Sequence, residues 1–117
     1  MRKLILGLLI AGCVAAPAFA QKVGGSYNVS GTNLDGSKYS GTAEITPSGS
    51  TCHITWQTGG TSKGICMLAN KAFAAYYHMG KSDGLVVYEL QPDGVLKGYW
   101  TITDKEGAGT ETLTPAK

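Results

Sequence analysis

One sequence feature restricts the fold of this chain more than any other. It is a series of short segments in which apolar and polar residues alternate, separated by turn signals. After residue 20, glycine-containing turn signals recur about every 8–12 residues, the spacing of an all-β domain. The turns at residues 47–49 and 92–94 each combine a proline, which presets φ, with a glycine that accepts the left-handed region. Such connections are too short for the crossovers that parallel strands need, so the pattern predicts an antiparallel meander.

We predict eight strands in this meander. They cover residues 26–31, 37–45, 51–58, 61–68, 72–78, 85–90, 95–103 and 109–114. A meander of this size removes its exposed edges by closing into an up-and-down barrel, which is the all-β architecture that we predict. A sandwich of two sheets is the alternative.

The first twenty residues have the anatomy of an export signal. Arg2 and Lys3 precede an apolar run, and a small-x-small cleavage site ends at Ala20. We therefore predict a signal peptide over residues 1–20, a single β-barrel domain over residues 21–117, a periplasmic or secreted location, and no membrane span. Residues 10–13 resemble a bacterial lipobox, so lipidation of Cys13 is the alternative form of processing.

The charge balance after signal removal argues against a nucleic-acid partner. The full chain has ten Lys and Arg residues against eight Asp and Glu, and two of the ten, Arg2 and Lys3, leave with the signal. The remaining charges balance and form no basic stripe, whereas nucleic-acid binding depends on clustered cations.

Cys52 and Cys66 remain after the signal is removed, and an even cysteine count in an exported chain predicts a disulfide. A zinc site would have to combine these cysteines with His53 and His78, whose spacing contains no C-x-x-C element. We therefore predict one disulfide, no metal and no cofactor.

The pairing of Cys52 with Cys66 fixes which side chains in the middle of the chain face inward, because strand side chains alternate between the two faces. The predicted hairpin is centred on Gly59. This parity, carried through a two-residue turn at residues 70–71, gives the inward-facing residues Ile54, Trp56, Leu68, Phe73, Ala75 and Tyr77. In the next two strands the charged residues Glu89 and Lys97 mark the outer face, which adds the inward-facing residues Val86, Tyr88, Leu90, Leu96, Trp100 and Ile102.

The same parity places a group of large apolar residues on the outside. This outer apolar band consists of Ile65, Met67, Tyr76, Val87 and Tyr99. A contiguous exposed apolar surface usually marks an interface, so these five are the predicted protein-binding residues. The alternative is a β-bulge near Gly64 or Gly98 that exchanges the two faces, or an error in the predicted register.

No catalytic constellation is visible in the sequence. Residues 60–64 spell G-x-S-x-G, but a serine-hydrolase elbow needs a helix after the serine, and here a strand is predicted. No local acidic partner is evident for His53 or His78. We therefore predict that the protein is not an enzyme. The aromatic residues Tyr27, Tyr39, Trp56, Tyr77, Tyr88 and Trp100 either fill the barrel interior or line a cavity for one small ligand.

Residues 25–33, 35–45, 52–60, 64–67 and 109–115 carry a resemblance that covers nearly the whole mature chain. They resemble a group of small exported alphaproteobacterial proteins often labelled fibronectin-binding proteins. The resemblance implies a matrix-protein ligand. The strand count is also similar to that of avidin-like barrels and periplasmic protease-inhibitor barrels, by architecture alone.

These observations together favour a non-catalytic exported β-barrel that binds a protein, either a fibronectin-like matrix ligand or a second copy of itself. Two alternatives remain open. One is a periplasmic inhibitor of an exported hydrolase, and the other is a barrel that binds a small ligand.

Overall fold

The computed structural model describes residues 23–117, which form a closed antiparallel barrel of eight strands. Each strand pairs with the next, and the last pairs with the first. The strands are β1 (Gly25–Thr32), β2 (Lys38–Ser48), β3 (Thr51–Gln57), β4 (Thr61–Ala69), β5 (Ala72–Met79), β6 (Ser82–Leu90), β7 (Leu96–Ile102) and β8 (Gly109–Pro115). The predicted fold is confirmed, and the sandwich alternative is wrong because β8 closes onto β1.

The predicted signal peptide, residues 1–20, and its cysteine Cys13 lie outside the described residues. Within residues 23–117, none of the structure is a helix with the length and apolar character needed to cross a bilayer.

The disulfide is where the sequence predicts it. Cys52 on β3 lies directly opposite Cys66 on β4, with 5.0 Å between their Cα atoms, and both are buried in the barrel. His53 and His78 are exposed on the outer face. The four residues of the zinc alternative therefore do not converge on one point.

The predicted inward-facing set is also confirmed, since each of its members is buried or half-buried. At the end of the barrel where β1 begins and β8 ends, the interior is solid: Phe73, Leu96 and Leu113 have no exposed surface. We call this the closed end. Burial of such large apolar side chains supplies most of the driving force for folding.

Inward-facing glycines shape the wall of the barrel. They are Gly31, Gly41, Gly64, Gly84, Gly98 and Gly109. A Cβ atom at Gly64 would overlap the carbonyl oxygen of Tyr76, and one at Gly98 would overlap that of Val87. Strand pairing nevertheless runs without interruption through both positions, so the bulge alternative is wrong and these glycines instead let the strands coil tightly.

The outer apolar band exists as a surface. Its five residues are between 41% and 68% exposed. Ile65 and Tyr76 lie side by side across β4 and β5, and Val87 and Tyr99 across β6 and β7. Leu85 extends the row beside Tyr76 and is 58% exposed.

Candidate ligand-binding cavity

The end of the barrel opposite the closed end contains a cavity of about 1090 Å³. In an up-and-down barrel, alternate connections lie at the same end, so the β1–β2, β3–β4, β5–β6 and β7–β8 connections surround its mouth. Residues from the β1–β2, β3–β4 and β7–β8 connections line it, together with Met79 and Ser82, which flank the β5–β6 turn. The interior is thus packed at one end and open at the other.

Four aromatic side chains form much of the cavity wall. They are Tyr39, Trp56, Tyr77 and Trp100. The rings of Trp56 and Tyr77 meet edge to face, with their centroids 5.4 Å apart. The rings of Tyr39 and Trp100 also meet edge to face, at 6.3 Å. These contacts fix the rings, because edge-to-face pairs are the favoured aromatic geometry.

Three of these rings each lie over a glycine on the neighbouring strand. Tyr39 covers Gly31, Tyr77 covers Gly84, and Trp100 covers Gly109. A Cβ atom at any of the three glycines would overlap the ring above it. The missing side chains therefore let the rings lie back against the wall and leave the lumen empty.

A buried carboxylate lies at the base of the cavity. Glu111 on β8 is only 6% exposed and lines the cavity. Tyr39 donates a hydrogen bond to its Oε1 at 2.7 Å, Trp56 Nε1 donates to Oε2 at 2.8 Å, and the hydroxyl of Tyr88 donates to Oε2 as well. Hydrogen bonds to a charged acceptor are stronger than neutral ones, and they replace the water that burial removes.

Strand register explains how the donors reach this carboxylate. Glu111 lies between Gly98 on β7 and Gly31 on β1. Tyr88 is the next inward residue beyond Gly98, and Tyr39 is the next beyond Gly31. Each tyrosine reaches across its glycine, where a larger residue would block the approach.

The cavity keeps its tyrosines protonated. Burial, and then the negative charge of Glu111, raise the pKa of Tyr39 and of Tyr88 well above the ordinary value. The same two causes raise the pKa of Tyr77 to about 12. Tyr77 donates its own hydrogen bond to the carbonyl oxygen of Thr101 at 3.0 Å. All three hydroxyls therefore serve as neutral donors at ordinary pH.

The G-x-S-x-G segment has no nucleophile–base geometry. Ser62 faces inward at the start of β4, and its hydroxyl contacts the thioether sulfur of Met79 at 3.2 Å rather than a base. A strand follows it, as the sequence predicts. This segment therefore forms a hairpin and part of the cavity wall.

The expectation that His78 lacks an acidic partner is wrong. His78 Nδ1 lies 2.7 Å from Asp83 Oδ1, because the β5–β6 register places the two residues opposite each other. Tyr76 also donates a hydrogen bond to this carboxylate, at 2.6 Å. Hydrogen bonds from Tyr76 and from His78 lower the pKa of Asp83. The cluster lies on the outer surface, away from the cavity.

The predicted site residues and the cavity thus lie on opposite faces of the same wall. The outer apolar band faces outward, whereas the cavity uses inward residues of the same strands and of β2, β3 and β8. Sequence reasoning missed Glu111 as a site residue. The sequence signal for its inward position was the alternation of faces along a strand: Glu111 shares a face with Leu113, a residue typical of a core.

No family model and no curated protein matches this chain. Among solved structures it is similar to a redesigned β-barrel, mFAP1, bound to DFHBI, with a TM-score of 0.69, 24% identity, and coverage of 82% of this chain and 97% of that one. A second redesigned β-barrel, b11L5F_LGL, gives a TM-score of 0.71 at 22% identity, covering 84% and 95% of the two chains. The fatty acid transporter REP1-NXSQ gives 0.52 at 16% identity, covering 80% and 96%. These similarities show the barrel fold.

Proposed function

We propose that this protein is an exported, non-catalytic barrel that binds one small ligand in its cavity. The observation that carries the proposal is the cavity itself, which has an apolar aromatic wall and one buried polar group at its base. Small-molecule sites are typically concave, mostly apolar, and equipped with a few convergent polar groups. Pockets of this kind measure about 300–1,000 Å³, so a cavity of about 1090 Å³ has room for such a molecule.

The wall is organised in advance of binding. The Trp56–Tyr77 and Tyr39–Trp100 contacts hold the rings in place, and Glu111 is held by three donors. A site with fixed side chains loses little conformational entropy when a ligand enters, which favours affinity. One of the structural neighbours has DFHBI bound and another is described as a fatty acid transporter. This likeness of fold agrees with a small-ligand role.

Titration of the purified protein with N-phenyl-1-naphthylamine tests the proposal. This neutral dye becomes fluorescent in apolar surroundings, and the cavity should give saturable enhancement at one dye per chain. Trp56 and Trp100 both line the cavity, so quenching of their emission should follow the same isotherm. A wild-type protein that shows no saturable signal in either channel would overturn the proposal.

A matched pair of variants locates the binding. Val86 faces the cavity, and its chain neighbour Val87 faces solvent. The substitution Val86→Phe should weaken dye binding at least about tenfold by filling space, whereas Val87→Phe should leave it unchanged. Equal binding by the two variants would contradict a site inside the barrel. Should Val86→Phe fail to fold, Ser62→Leu narrows the cavity from β4 and serves in its place.

Protein binding on the outer apolar band is the second candidate function. The observation in its favour is the continuous row of exposed large side chains across neighbouring strands. Removing such a surface from water releases about 25 cal/mol per Å² of apolar area. A fibronectin-like matrix protein, or a second copy of the chain, would use this face and leave the cavity free. The two candidates are therefore separable by variants on opposite faces.

A further inference from the structure

Glu111 brings a negative charge into the cavity, and no lysine of residues 23–117 forms a salt bridge with it. In the part of the chain that the structure describes, the ion pair found is His78–Asp83, on the outside of the barrel. The partners of Glu111 are two hydroxyls and one indole N–H, all of them neutral donors. They satisfy its hydrogen bonds without cancelling its charge.

The other charged groups around the cavity reinforce this sign. Its described lining contains the carboxyl groups of Asp35, Asp104, Glu106 and Glu111 and the single ammonium group of Lys105. Those near the mouth are exposed and are screened by salt. The charge of Glu111 is buried, where screening is weak, so it dominates the potential at the base.

The aromatic wall favours the same kind of ligand. Cations are attracted to the faces of Trp and Tyr rings, and cages of such rings are a common way to bind organic ammonium groups. Trp56 and Tyr77 line the cavity, and Trp56 also donates directly to Glu111. The negative charge of Glu111 contributes to the raised pKa of Tyr77, which is not its hydrogen-bond partner. The charge of Glu111 therefore acts on a cavity residue other than its three hydrogen-bond donors.

We propose, building on the small-ligand function above, that the cavity selects organic cations: molecules with a flat apolar body and an ammonium group directed toward Glu111. The body lies against the aromatic wall, and the ammonium donates toward Oε1. Oε1 accepts a single hydrogen bond from the protein, whereas Oε2 accepts two. A ligand with a carboxylate would place like charges together in a weakly screened space.

Three probes of similar shape test this inference: 2-naphthylmethylamine, which is protonated at pH 7, neutral 2-naphthalenemethanol, and 2-naphthoate. Isothermal titration calorimetry should rank the affinities for the wild type as amine, then alcohol, then carboxylate. The ammonium should bind at least about tenfold more tightly than the carboxylate. The same order at 20 mM and 500 mM salt is expected for a buried charge, whereas mouth carboxylates alone would give a preference that disappears.

The variant Glu111→Gln isolates the charge. A glutamine fits this site because its oxygen can accept from Trp56 and Tyr88 while its amide donates to Tyr39, whose hydroxyl can then donate to the carbonyl oxygen of Thr110, now 3.3 Å away. The amine-to-carboxylate preference should fall to about one, because the charge that distinguishes the two probes is gone. Glu106→Gln at the mouth is the matched control and should keep the preference.

The outcomes separate the two proposals. Binding of the alcohol without a preference between amine and carboxylate would overturn the charge inference and leave the small-ligand function standing. Failure of all three probes and of the dye would overturn the function itself. Should Glu111→Gln fail to fold, the wild-type ranking still decides, because a carboxylate that binds as well as the amine refutes the inference without any variant.

Discussion

Replacing Glu111 with alanine should destabilise the barrel far more than the loss of a charged residue usually does. The substitution removes the acceptor of three hydrogen bonds. Trp56 and Tyr88 are buried, so their donors lose their partner without free access to bulk water. Tyr39 is less affected, since its hydroxyl already lies 3.3 Å from the carbonyl oxygen of Thr110.

The magnitude follows from the two buried donors, on Trp56 and Tyr88, that lose their acceptor. A buried donor without an acceptor costs about 1–3 kcal/mol, and water that enters from the cavity will recover part of this. We therefore expect the free energy of unfolding to fall by about 2–5 kcal/mol, where a domain typically has about 5–15 kcal/mol in total. For a domain of this size, that corresponds to a decrease in Tm of roughly 10–25 °C.

The assay is urea denaturation followed by tryptophan emission, with far-UV circular dichroism as a second probe of two-state behaviour. Glu111→Gln should lose only about 1 kcal/mol, because it keeps an acceptor for Trp56. Glu89→Ala is the matched control, since Glu89 is exposed opposite Lys97 on the outer face and should change stability by less than about 0.5 kcal/mol. Burying a charge has its own cost, and its removal can stabilise a protein. If Glu111→Ala is as stable as the wild type, the cost of burying the charge is at least as large as the gain from its hydrogen bonds, and the predicted loss of stability is refuted.

Three further outcomes are expected. Stability should fall as pH rises from about 10 through 12, because the pKa of Tyr77 is raised to about 12 in the barrel and lies near 10 in the unfolded chain. The unfolded chain therefore binds fewer protons than the barrel in that range. Thermal melts at a series of pH values, with absorbance at 295 nm reporting tyrosinate, check the sign, and a melting temperature that does not change with pH contradicts it. Replacing Cys52 and Cys66 together with alanine should lower the free energy of unfolding by about 3 kcal/mol, since the two residues close a loop with a sequence separation of 14. Mass spectrometry of the protein purified without reductant should find both thiols oxidised, and free thiols would refute the pairing. Tyr76→Lys should change the free energy of unfolding by less than about 1 kcal/mol, because Tyr76 is exposed. It should weaken any self-association, measured by analytical ultracentrifugation, and any protein binding, measured by biolayer interferometry on immobilised fibronectin. Unfolding of this variant would show that Tyr76 points inward.

The sequence predicts most of this fold because one covalent constraint anchors the register. Once Cys52 is paired with Cys66, strict alternation assigns a face to the residues of β3, β4 and β5, and the charged residues Glu89 and Lys97 mark the outer face of β6 and β7. That assignment gives the inward position of Tyr88 and the outward position of Tyr76 correctly. A two-residue turn between β4 and β5 carries the parity forward, and it is possible because Asn70 accepts a positive φ of 57°.

The functional half of the barrel is harder to predict because its contacts are distant in sequence. The carboxylate of Glu111 is 55 residues from Trp56 and 72 from Tyr39. No periodicity links β8 to those strands, since the β8–β1 contact exists only after the barrel closes. A glutamate in a polar strand is ordinarily assigned to the solvent face, and only its shared parity with Leu113 argues otherwise.

Whether an eight-stranded barrel is solid or hollow depends on side-chain volume, since a barrel of this size is just wide enough for its side chains to fill. At the closed end, large apolar residues such as Phe73 and Leu96 meet in the centre and leave no exposed surface. At the open end, a ring on one strand faces a glycine on the next, as Tyr77 faces Gly84, so the ring lies along the wall instead of crossing the lumen. Glu111 lies where these two regimes meet, deep enough to be shielded from salt and still in contact with the cavity. A buried charge at that position weakens the case for a purely structural interior, because an apolar residue would fill the space at lower cost, and sequences depart from such local rules mainly at functional sites.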